Sequence, residues 1–248
     1  MRTSITGLTA LAFAMLASPA YAQDEAAASS VTVSGGATVV SDYRFRGISQ
    51  TNKRFAVQGT FTVAHESGVY ATVWGSSIDE YVASGSDQEI DFIAGWKKDF
   101  SGTTVDVGVL YYYYPGVKGV NTDFFEPYAS VSHTFGPVGA KLSAAYAPKQ
   151  AALTLGNGKE DNLYVAGDLS AGIPNTPVSL SAHLGHSFGP SFLTIGKEYT
   201  DWSVGASYAY KNLSFGVTYV DTNKASYNAL SGKNIAKAGV FGSVGVAF

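Results

Sequence analysis

The sequence contains no cysteine, few charged residues and no long apolar run beyond its first residues. The absence of cysteine among the 248 residues excludes disulfides as a source of stability. Only 14% of the residues are charged, whereas an ordinary soluble domain has about 25%. No run of about 18 apolar residues follows the N-terminal segment, which excludes helical membrane spans there. Stability and dispersion must therefore depend on something other than disulfides or surface charge.

The first 22 residues have the pattern of a secretory signal peptide. Arg2 supplies a positive start, residues 8–17 form a short apolar core, and the Ala-Tyr-Ala sequence at 20–22 fits a small-x-small cleavage site. An apolar core of about ten residues is too short to span a bilayer, which argues against a retained anchor. We predict that the mature chain begins at Gln23 with a net charge of 15 − 19 = −4, which argues against nucleic acid as a partner.

The abundant residues favour strands and tight turns, because the chain has 16 Tyr, 14 Phe and 28 Gly. After a polar, alanine-rich lead-in at 23–30, apolar and polar residues alternate with a period of two, which is typical of β-strands. In the first segment the apolar positions are Val31, Val33, Ala37, Val39, Tyr43 and Phe45. The predicted fold class is therefore all-β.

The alternation predicts twelve strands in one domain covering residues 31–248. Their expected bounds are 31–46, 55–65, 69–77, 88–97, 103–114, 124–135, 138–147, 163–172, 178–188, 201–210, 213–222 and 238–248. The facing of the third strand is ambiguous. Short connections follow the even-numbered strands and longer ones follow the odd-numbered strands. Transmembrane β-barrels have this asymmetry, with short periplasmic turns and longer extracellular loops, and an even strand count puts both termini on the periplasmic side.

Alternation alone does not tell an outer-membrane barrel from a secreted β-sandwich or a lipocalin-like barrel. Three features favour the membrane barrel. The polar face is mostly Ser, Thr, Gly, Ala and Tyr, with few lysines or glutamates. Aromatic residues cluster near strand ends, where membrane barrels have their interfacial girdles: Tyr43, Phe45, Phe55, Trp96, Phe188, Trp202 and Tyr210.

The third feature is the C-terminus, where Val240, Gly242, Val244, Val246 and the final Phe248 occupy alternate positions. This pattern resembles the terminal signal by which bacterial outer-membrane barrels are recognised for insertion. We therefore predict an up-and-down antiparallel barrel of about 12 strands in the bacterial outer membrane. Its expected partners are outer-membrane lipids and the barrel-assembly machinery, which would recognise Phe248.

Three stretches carry a resemblance to a known family: SDYRFRGISQT at 41–51, VYATVWGSSID at 69–79 and EIDFIAGW at 89–96. The chain resembles the proteobacterial TorF-type porin family over the whole predicted mature sequence, and these stretches are its best motifs. The resemblance implies an outer-membrane channel whose solute is undefined, and it supplies no functional residues to carry over.

The parity of each strand predicts which side chains face the lumen. The inward candidates are Asp42, Arg44, Arg46, Gln58, Glu89, Asp91, Asp106, Glu126, Lys141, Asp168 and His183. Six acidic against three basic side chains predict a weak preference for cations among small hydrophilic solutes. The alternative is that Arg44 and Arg46 pair with nearby carboxylates and have a structural role. Tyr43 and Phe45 are expected to face the membrane, and the loop at 148–162 is the candidate constriction.

Aromatic and hydroxyl side chains of the third and fifth strands are candidates for the lumen wall, with packing or an interfacial girdle as the alternative. They are Tyr70, Thr72, Trp74, Ser76, Tyr112 and Tyr114. The run of four tyrosines at 111–114 necessarily sends two rings to each face.

Other motifs favour no cofactor, metal or enzyme. The Gly-x-Ser-x-Gly sequence at 185–189 lacks the strand-turn-helix context of a nucleophile elbow. His186 and Ser187 are neighbours in a strand, so they face opposite sides and do not form the pair that an outer-membrane lipid hydrolase needs. The four histidines lack metal-ligand spacing, and the polar residues 157–162 lack an EF-hand pattern. A closed barrel with a structural, adhesive or sensory role is the main alternative to a channel.

Overall fold

The computed structural model describes residues 30–248, with the exception of residues 157, 225, 226 and 230. The predicted signal peptide and all but the last residue of the predicted lead-in lie outside the described residues. Within the described residues, no helix is long and apolar enough to cross a membrane.

Twelve long strands form a closed antiparallel barrel, and two short strands form a separate hairpin. The barrel strands are β1 Val31–Val40, β4 Ala56–His65, β5 Val69–Ser77, β6 Gln88–Phe100, β7 Thr103–Tyr113, β8 Phe124–Phe135, β9 Val138–Ala147, β10 Asn162–Gly172, β11 Val178–Phe188, β12 Tyr199–Tyr210, β13 Leu213–Thr222 and β14 Gly239–Ala247. The hairpin consists of β2 Arg44–Phe45 and β3 Ile48–Ser49, and a short 3₁₀ helix spans Ala151–Leu153. The twelve-stranded, up-and-down all-β barrel predicted from the alternation is confirmed.

The barrel closes where its first and last strands meet. β1 pairs with β14 in an antiparallel register that joins Gly36 to Ala247 and Val40 to Ser243. Next to this ladder, Gly35 and Phe248 exchange two backbone hydrogen bonds of 2.9 Å each. Closure leaves no free strand edge, so every barrel strand can pair its backbone on both sides.

The apolar side chains point outward and the polar ones point into the barrel. Val57, Leu142 and Val240 are 64%, 64% and 67% exposed on the outer surface, although each is a large hydrophobic residue. Buried polar side chains alternate with such residues, as Gln58 does beside Val57. A soluble barrel would bury the apolar face instead, so the distribution is that of a barrel with an apolar exterior.

The ambiguous third strand is resolved by the same criterion. Tyr70, Thr72, Trp74 and Ser76 of β5 are all buried inside the barrel, and Val69 and Val73 are exposed outside. Strand bounds otherwise shift little from the prediction, the largest extension being β6, which ends at Phe100 instead of residue 97.

The connections differ in length at the two ends of the barrel, as the sequence predicts. One end has short turns, such as Ser101-Gly102, in which both residues have positive φ angles of 56° and 90° and so form a tight hairpin turn. The other end has the long connections. We call these the short-turn end and the long-loop end.

The prediction of one long strand over residues 31–46 is wrong. β1 ends at Val40, and the chain then turns into the barrel instead of continuing along its wall. Residues 42–52 are buried except for the half-buried Phe45, and we call them the inward segment. The alternation misleads here because the short hairpin β2–β3 also has a period of two.

Buried apolar residues gather only at the long-loop end among the described residues, in three clusters around the inward segment. Val40, Tyr43, Ala56, Trp74, Ile78 and Ala83 form the first cluster. Ile48, Tyr199, Ala229, Ile235 and Ala236 form the second. Leu110, Tyr112, Phe124, Ala147 and Leu153 form the third. In this barrel the apolar core is therefore a cap inside one end of the lumen.

Candidate functional site in the barrel lumen

The inward segment reverses direction at Arg46-Gly47. Both residues have positive φ angles, 46° and 80°, which is the backbone of the tight turn that joins β2 to β3. Gly47 lies against the barrel wall, and a Cβ atom there would approach Thr222 Cγ2 to 2.5 Å and Asp201 Cβ to 2.9 Å. Glycine is thus required both by the backbone conformation and by the close approach to β12 and β13.

Arg46 connects the tip of the inward segment to three strands of the wall. Its Nη2 donates to both carboxylate oxygens of Glu126 at 2.7 and 2.8 Å, and its Nη1 donates to Asn162 Oδ1 at 2.9 Å. Tyr112 donates to the same carboxylate at 3.1 Å, and Tyr199 donates to the Arg46 carbonyl at 3.0 Å. Every partner is buried, so the ion pair lies away from solvent.

Two aromatic rings complete the surroundings of the Arg46 guanidinium. Its central carbon lies 4.2 Å from the ring centroid of Tyr164 and 4.7 Å from that of Phe45. Burial, the largest single influence, lowers the pKa of Arg46, but the charge and hydrogen bond of Glu126 act together with Tyr112 and Tyr164 and raise the pKa above its usual value. Arg46 therefore remains charged inside the barrel.

Arg44 holds the base of the inward segment. Its Nε donates to Asp42 Oδ2 at 2.6 Å, and its Nη1 donates to the carbonyls of Gly47, Ile235 and Lys237 at 3.0, 3.2 and 3.1 Å. The last two carbonyls belong to the connection between β13 and β14. Arg44 thus joins the inward segment to the last long loop.

The expectation that Tyr43 faces the membrane is wrong, because its side chain lies inside the barrel. The side chain is 3% exposed, packs edge-on against Trp74 with ring centroids 5.5 Å apart, and donates to Glu89 Oε1 at 3.2 Å. Phe45 is also directed inside, where it packs edge-on against Tyr112 with centroids 6.0 Å apart. Burial and, secondarily, the nearby carboxylates raise the pKa of the Tyr43 hydroxyl well above its usual value, so it remains a hydrogen-bond donor.

The tyrosine run divides between the two faces, as its spacing predicts. Tyr112 is buried and stacks on Phe124 at 4.2 Å, whereas Tyr111 and Tyr113 are exposed outside. Trp74 and Tyr112 lie inside but pack against other residues, which corresponds to the packing alternative for these rings.

Asp91 is a buried carboxylate of the lumen that lacks hydrogen-bond partners among the described residues. It is 0% exposed, and neither carboxylate oxygen has a hydrogen-bond partner within the described residues. Glu89 is inward two residues earlier on the same strand, and Gln58 Oε1 also lacks a partner. The inner face of β6 therefore carries two acidic groups that no cation of the described residues neutralises by a direct ion pair.

A second polar network starts beside the inward segment and runs along the wall towards the short-turn end. His183 joins Asp168 through Nδ1 at 2.7 Å and Asp201 through Nε2 at 3.1 Å, and the Tyr164 hydroxyl lies 2.9 Å from the same Nε2. Lys141 is the cross-strand neighbour of Asp168. No apolar cluster fills the short-turn half of the lumen among the described residues.

A further group of inward polar side chains lies on β5 to β8. Tyr70 donates to Asp106 Oδ1 at 2.8 Å and contacts the hydroxyl of Tyr128. Lys97 is the cross-strand neighbour of Asp106. Ser170 and Ser181 are exposed inward-facing residues near the short-turn end, so the lumen presents hydroxyl groups there.

The eleven inward candidates thus divide between the two halves. Asp42, Arg44 and Arg46 were expected on the wall as part of one long strand. This is wrong, because they belong to the inward segment. Wall positions are occupied by Gln58, Glu89, Asp91, Asp106, Glu126, Lys141, Asp168 and His183. That they line a conducting pore stays a prediction.

Sequence reasoning missed Asn162, Tyr164, Tyr199 and Asp201, all of which contact candidate residues. Parity could have found Asp201, because it is two residues from Ser203 on β12 and therefore shares the inward face of that strand. Asn162 was assigned to a loop, whereas it is the first residue of β10. Asp201 and Lys97 add one inward charge of each sign, so the excess of acidic over basic groups is unchanged.

The candidate constriction at 148–162 has a smaller role than the inward segment. Among its described residues before β10, the loop inserts one fully buried side chain, Leu153, against Tyr112 and Phe124. His186 and Ser187 face opposite sides, as predicted: His186 bonds Thr200 Oγ1 at 2.8 Å, and Ser187 is 0% exposed beside Asn162. Among the described residues, no group of three or more acidic, histidine or cysteine side chains could hold a metal ion.

Comparison with known families and structures identifies the chain at the family level. The model of a bacterial family described as proteins of unknown function, Gcw_chp, matches residues 24–246. The chain belongs to the Gcw_chp family. A search of curated proteins finds no significant match.

Solved structures similar to this Gcw_chp protein include membrane barrels. The NanC porin has a TM-score of 0.58 and 10% identity, with 88% of this chain and 99% of that chain covered. A structure from a study of the in-meso crystallization of membrane proteins has a TM-score of 0.53 and 8% identity, with 87% and 83% covered. At these identities the likeness shows the barrel fold, and function requires its own argument.

Proposed function

We propose that this Gcw_chp protein is an outer-membrane channel of narrow bore for the passive diffusion of small hydrophilic solutes or ions. The observation that carries the proposal is the apolar exterior around a polar, partly hydroxyl-lined lumen. In hydrocarbon such a closed barrel pairs all its backbone groups, and its exterior matches acyl chains. Side chains just fill the interior of an eight-stranded barrel, and the diameter grows with the number of strands. A twelve-stranded barrel therefore has room inside for more than its own side chains.

Filtration would then depend on width and charge. The inward segment sets the bore at the long-loop end, and the excess of acidic over basic inward side chains favours cations. No step of this mechanism needs a cofactor or a catalytic residue, and the proposed function is not enzymatic. The finer assignment to the TorF-type porin family is part of this proposal.

The proposed location is the bacterial outer membrane. Export by the predicted signal peptide and recognition of Phe248 by the barrel-assembly machinery would bring the chain there. Phe248 is 77% exposed beside the seam, so its ring is available to a recognising surface. The long-loop end would face the outside of the cell and the short-turn end the periplasm.

Conductance in planar lipid bilayers tests the channel directly. Purified, folded protein is expected to give discrete openings, and a reversal potential under a salt gradient is expected to show a weak cation preference. Clear anion selectivity would remove the charge argument, although the channel itself would stand.

The burial of the inward segment favours a second candidate, a closed barrel with a structural or adhesive role carried by its long loops. This candidate predicts persistent electrical silence of the folded protein. It also predicts that removing the inward segment creates conductance where there was none.

A further inference from the structure

Three lysines lie close together at one side of the long-loop end. Lys53 follows the inward segment, and Lys233 and Lys237 belong to the β13–β14 connection. The two chain segments are tied together, since Ser231 Oγ donates to Asn52 Oδ1 at 2.8 Å and Arg44 donates to the Lys237 carbonyl. Lys233 and Lys237 are exposed and Lys53 is half-buried.

None of these lysines has a carboxylate partner within ion-pair distance among the described residues. Burial lowers the pKa of Lys53, and the charges of Arg44, Lys237 and Lys233 lower it further, whereas Asp42 raises it. Asp42 is itself engaged by Arg44. The cluster therefore has an excess of positive charge, and no carboxylate of the described residues forms a direct ion pair with any of its lysines.

The positive charge is local to this side of the rim. The neighbouring connection between β5 and β6, residues 78–87, contains three acidic residues and no basic one. The connections at 114–123 and 148–161 have equal numbers of basic and acidic residues. We therefore do not expect the long-loop end as a whole to attract anions. We expect anions to be attracted specifically to the lysine cluster.

The barrel surface next to the cluster is strongly apolar. Phe55, just before β4, and Val57 near its start are 75% and 64% exposed, and Val240 of β14 is 67% exposed. β4 and β14 flank β1 on the barrel wall, and Val39 near the end of β1 is 44% exposed between them. Lysines beside such a surface match an amphiphile that has an anionic headgroup and acyl chains.

We propose that Lys53, Lys233 and Lys237 form a binding site for the phosphate group of a lipid headgroup, with its acyl chains against Phe55, Val57 and Val240. The site rests on the proposed membrane location, because only there does a phosphorylated lipid lie at the height of the rim. Ammonium groups bind phosphate through charge-assisted hydrogen bonds, and the open side of the cluster leaves these donors available.

The test measures binding of lipid A, a phosphorylated glycolipid, to the full-length folded protein in detergent. The triple variant K53Q/K233Q/K237Q is expected to bind at least about tenfold more weakly than the wild type. A matched control, K118Q/K149Q/K159Q, removes three lysines from the two charge-balanced connections and is expected to change the affinity by less than about twofold. The gel-mobility shift of the folded barrel verifies that both variants fold.

Three results would overturn the proposal: equal losses in both triple variants, wild-type affinity in the first variant, or binding of inorganic phosphate as tight as that of lipid A. The third result would assign the cluster to free anions instead of a lipid. Conductance of the same samples separates this site from the proposed channel. An electrically silent protein that retains lysine-dependent lipid binding refutes only the channel, and a conducting protein without it refutes only the lipid site.

Discussion

The two halves of the lumen are built on the same barrel wall but are filled differently. At the long-loop end the inward segment occupies the interior, with Arg46 buried against Glu126 and Asn162. Below the segment the network of His183, Asp168 and Asp201 joins residues of the wall to each other, and towards the short-turn end Ser170 and Ser181 are exposed. The wall determines the fold, whereas the inward segment determines how much of the lumen at its end is filled by protein.

Removing the inward segment has the largest expected effect on this difference. Replacing residues 42–52 by a short glycine-serine linker is expected to raise single-channel conductance several-fold, because the segment would no longer fill the long-loop half. Planar-bilayer recordings measure it. Deletion of residues 116–121, which lie in another long connection, is the control and is expected to leave conductance unchanged. Equal conductance of the wild type and the 42–52 deletion would contradict the role of the segment.

Breaking the ion pair at the tip of the segment comes next. Arg46→Ala leaves Glu126 buried without its cation, and we expect a loss of about 3–5 kcal/mol in the free energy of unfolding. Urea titration in detergent, followed by tryptophan fluorescence, measures it. Adding Glu126→Gln to Arg46→Ala should recover part of the loss, because the unpaired buried charge is then gone. A double variant as unstable as the sum of both single variants would contradict the pairing.

A change at the turn tests how tightly the segment fits the wall. Gly47→Ala is expected to cost about 1–3 kcal/mol, since the new Cβ atom would collide with Thr222 and Asp201. Gly116→Ala is the matched control: its φ of +86° is similar to the +80° of Gly47, but no atom lies within 4 Å of the added Cβ. The difference between the two losses isolates the steric contact. Equal losses would show that only the backbone conformation matters.

The smallest expected effect concerns one hydrogen bond between the segment and the acidic wall. Tyr43→Phe removes the donor to Glu89 and is expected to cost about 0.5–1.5 kcal/mol with little change in packing. Tyr111→Phe is the control, because its hydroxyl is bonded at 3.3 Å to Asp123 on the exposed outer side. The same urea titration compares them, and a larger loss for Tyr111→Phe would contradict the inward position of Tyr43 as a source of stability.

The sequence predicted the barrel well because each strand carries its own signal. In β4, Val57 and Phe61 point outward and Gln58 and Thr62 point inward. This alternation is visible within a few neighbouring residues, because the outer face must be apolar and the inner face polar in each strand independently. The same local rule failed at residues 41–46, where Tyr43 and Phe45 keep the period of two inside a hairpin. The Arg46-Gly47 turn was the one local sign of the reversal.

The interior could be predicted only in part. Parity put Glu126 and His183 inside, but it does not say which inward residues meet across the lumen. Arg46 contacts Asn162 and Tyr199, which follow it by 116 and 153 residues. Contacts at such separations arise from barrel closure and from the path of a loop, and neither is encoded in a local pattern.

These separations also constrain the order of folding. A stretch near the N-terminus has its partners on β8, β10, β12 and the last long connection, so it cannot reach its final position until almost the whole chain has been laid down. Bringing such distant residues together is slow compared with pairing adjacent hairpins. Closure of the seam at Gly35 and Phe248 and burial of Arg46 are therefore both late events, and a chain truncated before β12 would reach neither.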